Sequence, residues 1–388
     1  MGETKVAIAH AAGYGFGSVD AAVKEAVSLI GGVEAVVRPG DHVFVKVNHL
    51  PPPSPPERGI ITHPRFAEAV LKLLLEVTPH VTVGDDLRSD SKGFEVSGYR
   101  QVCARLGVRL LNLPELGFQK VRCDGVILKE VFVARALLEA DVVVGLPKLK
   151  THSLTLFTGA VKNFYGVIPA GLRVQYHGRY KNIEEFSQLL VDIFSLVRPG
   201  LTVMDGIVAM EGNGPANGRL RELGLVIAGR DAVAVDAVAT QVIGLDPMAV
   251  ATTRFAHARG LGVGDLTEIE VCGERLEDVA VEDYALPGPA AARMLDHLPR
   301  PLAALITRQL ASRPRVIRAR CVGCGACVAV CPTGAARLRD GKAWIDGRRC
   351  IRCMCCHEAC RYDAVVLARP APGAALQALM DAFRRRPR

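Results

Sequence analysis

Aromatic side chains are scarce, at 5% of 388 residues with a single Trp. The core has to be filled largely by Ala, Val and Leu, which suits a globular α/β protein, and 49% hydrophobic residues exclude a disordered chain. No apolar stretch approaches the ~20 residues that cross a bilayer; the runs are of the size of "DVVVGL" and "AVLKLLLEV". The N-terminal "MGETKVAIAHAAGYGFG" lacks the basic segment followed by an apolar one that marks secretion. The expected compartment is the cytoplasm, with no membrane as partner. No Gly-x4-Gly-Lys-Ser/Thr phosphate loop occurs, and "GYGFG" at 13–17 lacks the full dinucleotide-binding spacing. Carboxylates run short at one end. Residues 315–388 hold 15 Lys+Arg against 5 Asp+Glu, whereas residues 1–314 hold 33 against 35.

Cysteine, by contrast, is plentiful: twelve residues, nine of them between Cys321 and Cys360. In a long chain without a secretion signal these read as metal ligands or buried thiols rather than disulfides. Cys103, Cys123 and Cys272 are scattered and are expected in the core. Cys321, Cys324, Cys327 and Cys331 have the spacing C-x2-C-x2-C-x3-C, and Cys350, Cys353, Cys356 and Cys360 repeat it 29 residues later. Structural zinc prefers separated C-x2-C pairs with four ligands per ion, which two complete runs fit poorly. Three closely spaced thiolates can wrap three corners of an iron–sulfur cubane from one tight loop, and the fourth has to approach from elsewhere.

"CVGCGACVAVCP" and "CIRCMCCHEACR" resemble the ligand runs of bacterial two-cluster ferredoxins over residues 315–368. The resemblance implies two [4Fe–4S] clusters with exchanged fourth ligands. One would take Cys321, Cys324, Cys327 and Cys360; the other would take Cys350, Cys353, Cys356 and Cys331. Gly323, Gly325 and Gly334 suit close backbone approach. Cys355 falls outside the spacing and is expected as a packed thiol. Oxidised clusters would offset about four of the surplus positive charges, which argues against nucleic acid; a redox partner protein is expected.

The first 286 residues alternate strand and helix patterns, so the fold expected is α/β, a mainly parallel sheet with helices on both faces. A helical linker over 287–314 follows, then the small α+β ferredoxin-like domain and a basic tail helix over 369–388. Thr62 is expected to cap the helix "PRFAEAVLKLLLEV", and Asp231 the helix "AVAVDAVATQVIG". "PPPSPPERG" at 51–59 reads as a stiff loop. In parallel sheets ligands sit at the carboxyl ends of strands. Polar clusters follow strands here at His49, at Asp85 and Asp86, from Lys148 to His152, and from Asp205 to Asn213; His63 flanks the Pro-rich loop. Lys148, Lys150 and His152 alternate along one side of an extended segment. A helix is expected next, with Phe157, Val161 and Phe164 as its apolar stripe and Thr158, Lys162 and Tyr165 beside it. Lys148, Lys150, His152, Lys162 and Asn163 would then converge on a pocket for a phosphate or carboxylate. His152 would move protons. Asp205 ends a strand, and the loop Glu211 to Pro215 carries Asn213 and a Glu211 able to act as base or cation ligand. Asp236, inside an apolar helix, requires a buried partner.

"PKLKTH", "TGAVKNFYG", "MEGNGP" and "DAVAVDAVA" resemble the hallmarks of domain-of-unknown-function family 362, over roughly residues 5–285. That resemblance, often accompanied by a C-terminal ferredoxin module, specifies membership and not chemistry. Two functions follow. In one, the clusters feed electrons to an anionic small molecule or cofactor in the α/β part, with His152, Lys162 and Glu211 as proton carriers. In the other, the chain is an electron carrier or maturation factor for a protein partner.

Arg361 stands where the first repeat has Pro332. A cation beside Cys360 favours the more negative, reduced cluster and should raise its potential. Arg361→Pro should lower one midpoint potential in a redox titration; two unchanged potentials would rule the effect out.

Overall fold

The computed structural model describes residues 4–50, 53–88, 92–180, 182–287 and 313–368. Its α/β part contains β1 (Thr4–His10), β2 (Val43–Val47), β3 (Val81–Asp85), β4 (Arg109–Asn112), β5 (Phe118–Arg122) and β6 (Glu130–Ala134). It continues with β7 (Val142–Leu146), β8 (Lys148–His152), β9 (Leu156–Thr158), β10 (Leu201–Glu211), β11 (Arg219–Gly229) and β12 (Ile269–Gly273). The main sheet runs β12-β1-β11-β10-β7-β2-β3-β4, with β8 beside the far half of β10 and β9 on its edge. Strands β12, β1 and β10, β7, β2, β3, β4 pair in parallel within their neighbourhoods, as does β8 with β10; β11 runs antiparallel to both β1 and β10. The mainly parallel sheet of the sequence reading is therefore present.

The register explains the apolar strands. β2 and β7 face each other residue for residue, from Val43 opposite Val142 to Val47 opposite Leu146. Val43, Val45 and Val47 turn to one face, where the helices Ser18–Leu29 and Pro64–Leu75 pack; Phe44 turns to the other, against Ile183–Leu196. The helix Ala232–Val242 covers β1 and β11 on that second face. A strand covered on both faces cannot alternate polar with apolar residues. Cys103 and Cys123 sit in these cores, and Cys272 lies half-buried in β12.

Local chemistry sets three departures from expectation. The cap of Pro64–Leu75 is His63, whose Nδ1 accepts the Arg65 N–H at 3.2 Å. Thr62 instead donates to Leu146 O and accepts the Asn48 N–H, tying the ends of β7 and β2 together. β10 runs on through Glu211, so only residues beyond it form the loop. The helix expected from Phe157 is in fact strand β9 followed by a short helix, Ala160–Asn163. Gly159 separates them, because a Cβ there would lie 2.0 Å from Asp236 Oδ1.

The cysteine-rich end has β13 (Arg313–Val316) paired with β16 (Val365–Ala368), and β14 (Ala336–Arg339) paired with β15 (Lys342–Ile345). β13 begins inside the span assigned to the linker; the rest of that helical linker, and the tail helix, lie outside the described residues. Asp231 caps its helix as expected, accepting the Val233 and Ala234 N–H groups.

Asp236 finds its buried partners in the Ala160 and Val161 N–H groups, at 2.5 and 3.0 Å. Burial pushes its carboxyl up to about 7, against the pull of those donors. Asp236→Ala strands two buried N–H groups and should cost about 1–3 kcal/mol. Urea melts measure this; a curve superimposable on the parent would remove Asp236 from the account of how Lys162 and Asn163 are held.

Candidate functional site

The eight repeat cysteines surround two separate cavities. Cys321, Cys324, Cys327 and Cys360 line one; Cys331, Cys350, Cys353 and Cys356 line the other. These are the two exchanged sets that the ferredoxin resemblance implies. The repeat extends to the backbone. Gly323, Gly325 and Gly334 have positive φ, and so have Arg352, Met354 and Asp363, each 29 residues on. The short helices Ala326–Ala329 and Cys355–Glu358 are offset by the same interval. Gly323 admits no side chain, since a Cβ would meet Gly341 O at 2.2 Å. Backbone N–H groups of Ala343, Ala336 and Ala364 each lie 3.3 Å from the sulfurs of Cys321, Cys331 and Cys360. Such donors stabilise thiolate charge, as cluster ligands require. Among the described residues no three His, Cys, Asp or Glu side chains close on a point fit for one metal ion. The thiols ring a larger space, and the residues fit a cubane.

The lysines of the α/β part separate rather than converge. Lys148 Nζ pairs with Asp205 at 2.8 Å and donates to Tyr14 Oη at 2.5 Å. Asp205 also accepts from Tyr14 Oη and from the His63 N–H, so this buried pair is closed. Lys150 Nζ donates to Asn48 Oδ1 and Ile60 O, neutral acceptors both, and burial pushes it down to about 7. Lys46 pairs with Asp85 at 2.9 Å and reaches Asn163 Oδ1 at 3.5 Å. Asp85 also accepts the His49 N–H. Glu211 is held by Arg219 and by the Ala285 N–H, apart from these cations. Asn213 presents its backbone oxygen to His357 Nε2 at 3.3 Å, on the seam with the cysteine module.

That seam is where chemistry gathers. Arg58, from the Pro-rich loop, pairs with Asp363 at 2.8 Å, and Asn217 Nδ2 meets the His357 ring and carbonyl. Behind them lies a cavity of about 100 Å³. The α/β part supplies Arg88, Lys162, Tyr165, Arg173 and His177; the module supplies Cys355 and Glu358. Arg173 is paired with Asp86. Among the described residues neither Arg88 nor Lys162 has a carboxylate within ion-pair distance. Burial pushes the pKa of both down, and for Lys162 the Glu358 charge pulls the other way. His177 Nδ1 is buried with no hydrogen-bond partner.

His152 stands behind Glu358. Its Nδ1 accepts the Leu154 and Thr155 N–H groups, so the ring proton sits on Nε2, facing Glu358 Oε1 at 3.4 Å. That contact forms no well-aligned hydrogen bond, and the carboxylate oxygen has no other partner among the described residues. Burial alone would raise the Glu358 pKa; the His152 ring and the Lys162 charge outweigh it and keep Glu358 ionised. Cys355 lies between ligands Cys353 and Cys356, is buried, and walls the cavity: the packed thiol expected.

The sequence reading missed Arg88, Arg173 and His177. Arg173 and His177 lie four apart on the helix Ala170–Arg179, a same-face spacing present in "LRVQYHGRY". Arg88 follows the Asp85–Asp86 pair and takes a positive φ, held by Asn112 through the Leu87 N–H and the Arg88 oxygen.

Among the described residues no helix is long and apolar enough to cross a membrane. The family described as domain of unknown function (DUF362) matches residues 43–241, and that described as 4Fe-4S binding domain matches residues 314–337. The chain therefore binds at least one iron–sulfur cluster. It is 31% identical over 287 residues to the thylakoid-associated protein sll1697 of Synechocystis sp., covering 73% of this chain and 87% of that one. The lactate racemase apoprotein of Thermoanaerobacterium thermosaccharolyticum matches in structure with a TM-score of 0.40 and 10% identity, over 58% of this chain and 54% of that one. A Thermotoga maritima protein matches with 0.32 and 15%, over 50% of each chain. The chain spans about half the length of these two structures.

Burial holds His152 down to about 4, so the folded chain leaves it neutral while the unfolded chain protonates it near pH 6.5. Its contribution to stability is full above pH 6.5 and is lost as pH falls towards 4. His152→Gln should flatten the stability–pH slope in that window by up to about 1.4 kcal/mol per pH unit. Denaturant melts across the window check it, and an unchanged slope would mean His152 is charged in the fold.

Proposed function

For a chain that belongs to the family described as domain of unknown function (DUF362) and carries a 4Fe-4S binding domain, we propose a redox role on a small anion. Two [4Fe–4S] clusters, held by the two cysteine sets, supply one-electron transfer. The molecule acted upon is a small carboxylate or phosphate lodged in the cavity between Arg88, Lys162 and Arg173 on one side and Cys355 and Glu358 on the other. The setting is the cytoplasm.

The observation that carries this reading is Lys162, a cation drawn out of water without a carboxylate within ion-pair distance among the described residues, with the exposed Arg88 on the same cavity. Charge removed from water costs several kcal/mol unless a counter-charge answers it. A bound anion supplies one, in a place whose opposite wall is the loop of Cys353 and Cys356. Lys162, its pKa lowered by burial, gives up a proton more readily than a surface lysine and serves as the donor nearest the anion. His152 orients Glu358 from behind, and Arg173, anchored on Asp86, adds a directional fork for a carboxylate or phosphate.

Anaerobic material should contain about 8 irons per chain. It should bind a small carboxylate or inorganic phosphate in calorimetry. Arg88→Ala and Lys162→Ala should each weaken that binding at least about tenfold, roughly 1.4 kcal/mol, with the cluster EPR signals intact. Unaltered binding in both variants would remove the anion from the cavity. Iron near half the expected content would reduce the account to one cluster.

A further inference from the structure

The two cysteine-lined cavities differ in what surrounds them. The one lined by Cys331, Cys350, Cys353 and Cys356 lies on the side of the junction cavity, which Val330 and Cys355, the chain neighbours of Cys331 and Cys356, line. The one lined by Cys321, Cys324, Cys327 and Cys360 faces outwards: Cys324 is exposed. Around it stand Val322, Leu338 and Tyr362, exposed by 56%, 46% and 41%. None of the exposed large apolar side chains among the described residues lines the inner cavity. Apolar side chains gathered at one exposed spot mark a contact surface.

Its rim is basic. Arg318, with 56% of its side chain exposed, leans only loosely on Asp340 at 3.9 Å. Arg320 reaches the Asp363 oxygen and stays exposed, and Arg361 adjoins Tyr362. Arg337 and Arg339, beside Leu338 on β14, turn to the other side of the strand, where Arg339 lies over Trp344 at 3.5 Å, and add positive charge near the face rather than to its rim. An apolar centre within a ring of arginines fits a partner of the opposite charge, with the apolar contact excluding water and the arginines setting approach and orientation.

We infer that the face formed by Val322, Leu338, Tyr362 and their arginine rim docks an acidic one-electron carrier protein, which delivers electrons at the outer cysteine set. The donor loses one electron and the chain gains it at that set, so no proton or group moves in the transfer. The inference rests on the proposed electron-transfer role and gives it a direction, from the outer face inwards to the junction cavity. Crowding of the arginines favours a protein of net negative charge over a neutral one.

The test titrates the anaerobically purified full chain with an acidic plant-type [2Fe–2S] ferredoxin. The dissociation constant should rise at least about tenfold between ~50 and ~200 mM salt. Leu338→Glu should weaken the complex by a similar factor. So should the double substitution Arg318→Glu with Arg320→Glu at two exposed side chains, with iron content and a thermal melt checking that the fold is kept. In both variants dithionite should still reduce the iron–sulfur absorbance as in the parent. A complex insensitive to salt, or one bound equally well by the double variant, would overturn the docking face while leaving electron transfer standing. Failure of dithionite to reduce the parent would overturn the electron-transfer role itself.

Discussion

Positive charge taken out of water has to be answered, and this α/β part answers it differently at each lysine. Lys46 and Lys148 meet Asp85 and Asp205 at 2.9 and 2.8 Å. Lys150 meets only neutral oxygens and gives up much of its charge instead. Lys162 meets no described carboxylate within ion-pair distance and faces a cavity, and the exposed Arg88 lines the same cavity. The first three solutions are closed structures at the carboxyl ends of parallel strands. Breaking a closed buried pair costs far more than the pair contributes in net stability, so these lysines hold loops in place. Lys162 leaves a requirement that something from outside has to meet.

The cavity exists only because two halves of the chain meet. Lys162 stands on a four-residue helix whose direction comes from Asp236, on another helix, through two N–H groups. Arg88 is aimed by a left-handed residue that Asn112 holds at both sides. Opposite them, Cys355 and Glu358 are fixed by the cysteine spacing itself, since each sits between ligands. The positions of the groups lining the junction cavity and of the repeat cysteines are thus set by separate constraints, and the seam of Arg58, Asn213, Asn217 and His357 brings them into register.

The cysteine module was legible in the sequence because its information is local. Spacing alone fixes which sulfurs can share a loop, and the ferredoxin resemblance implied which fourth sulfur joins each set. Strand order was not legible, but the two-sided cover of the sheet was, from runs such as Val43–Val47. Asp231 was readable as a cap because both its partners follow it at once. His63 was not, since Thr62 beside it is the better capping residue by type and is drawn away by Leu146 O and the Asn48 N–H. The pocket expected from Lys148, Lys150, His152, Lys162 and Asn163 kept Lys162 at its wall and His152 behind it. The others turned to partners distant in sequence, Asp205, Asn48 and Lys46, which no local pattern announces. Arg88 escaped notice because a positive φ at a non-glycine residue leaves no mark in sequence.

The three left-handed positions of each repeat tell a last story. In the first copy they are glycines, and in the second they are Arg352, Met354 and Asp363. Both copies share the same bends, and a side chain at such a bend costs about 1–2 kcal/mol where the other copy has glycine. In the second copy Met354 lines the inner cavity, and Asp363 grips Arg58 of the α/β part. The copy that kept glycine stays slim on its outer side. The two copies thus differ most in side chains at the bends that their shared backbone repeats.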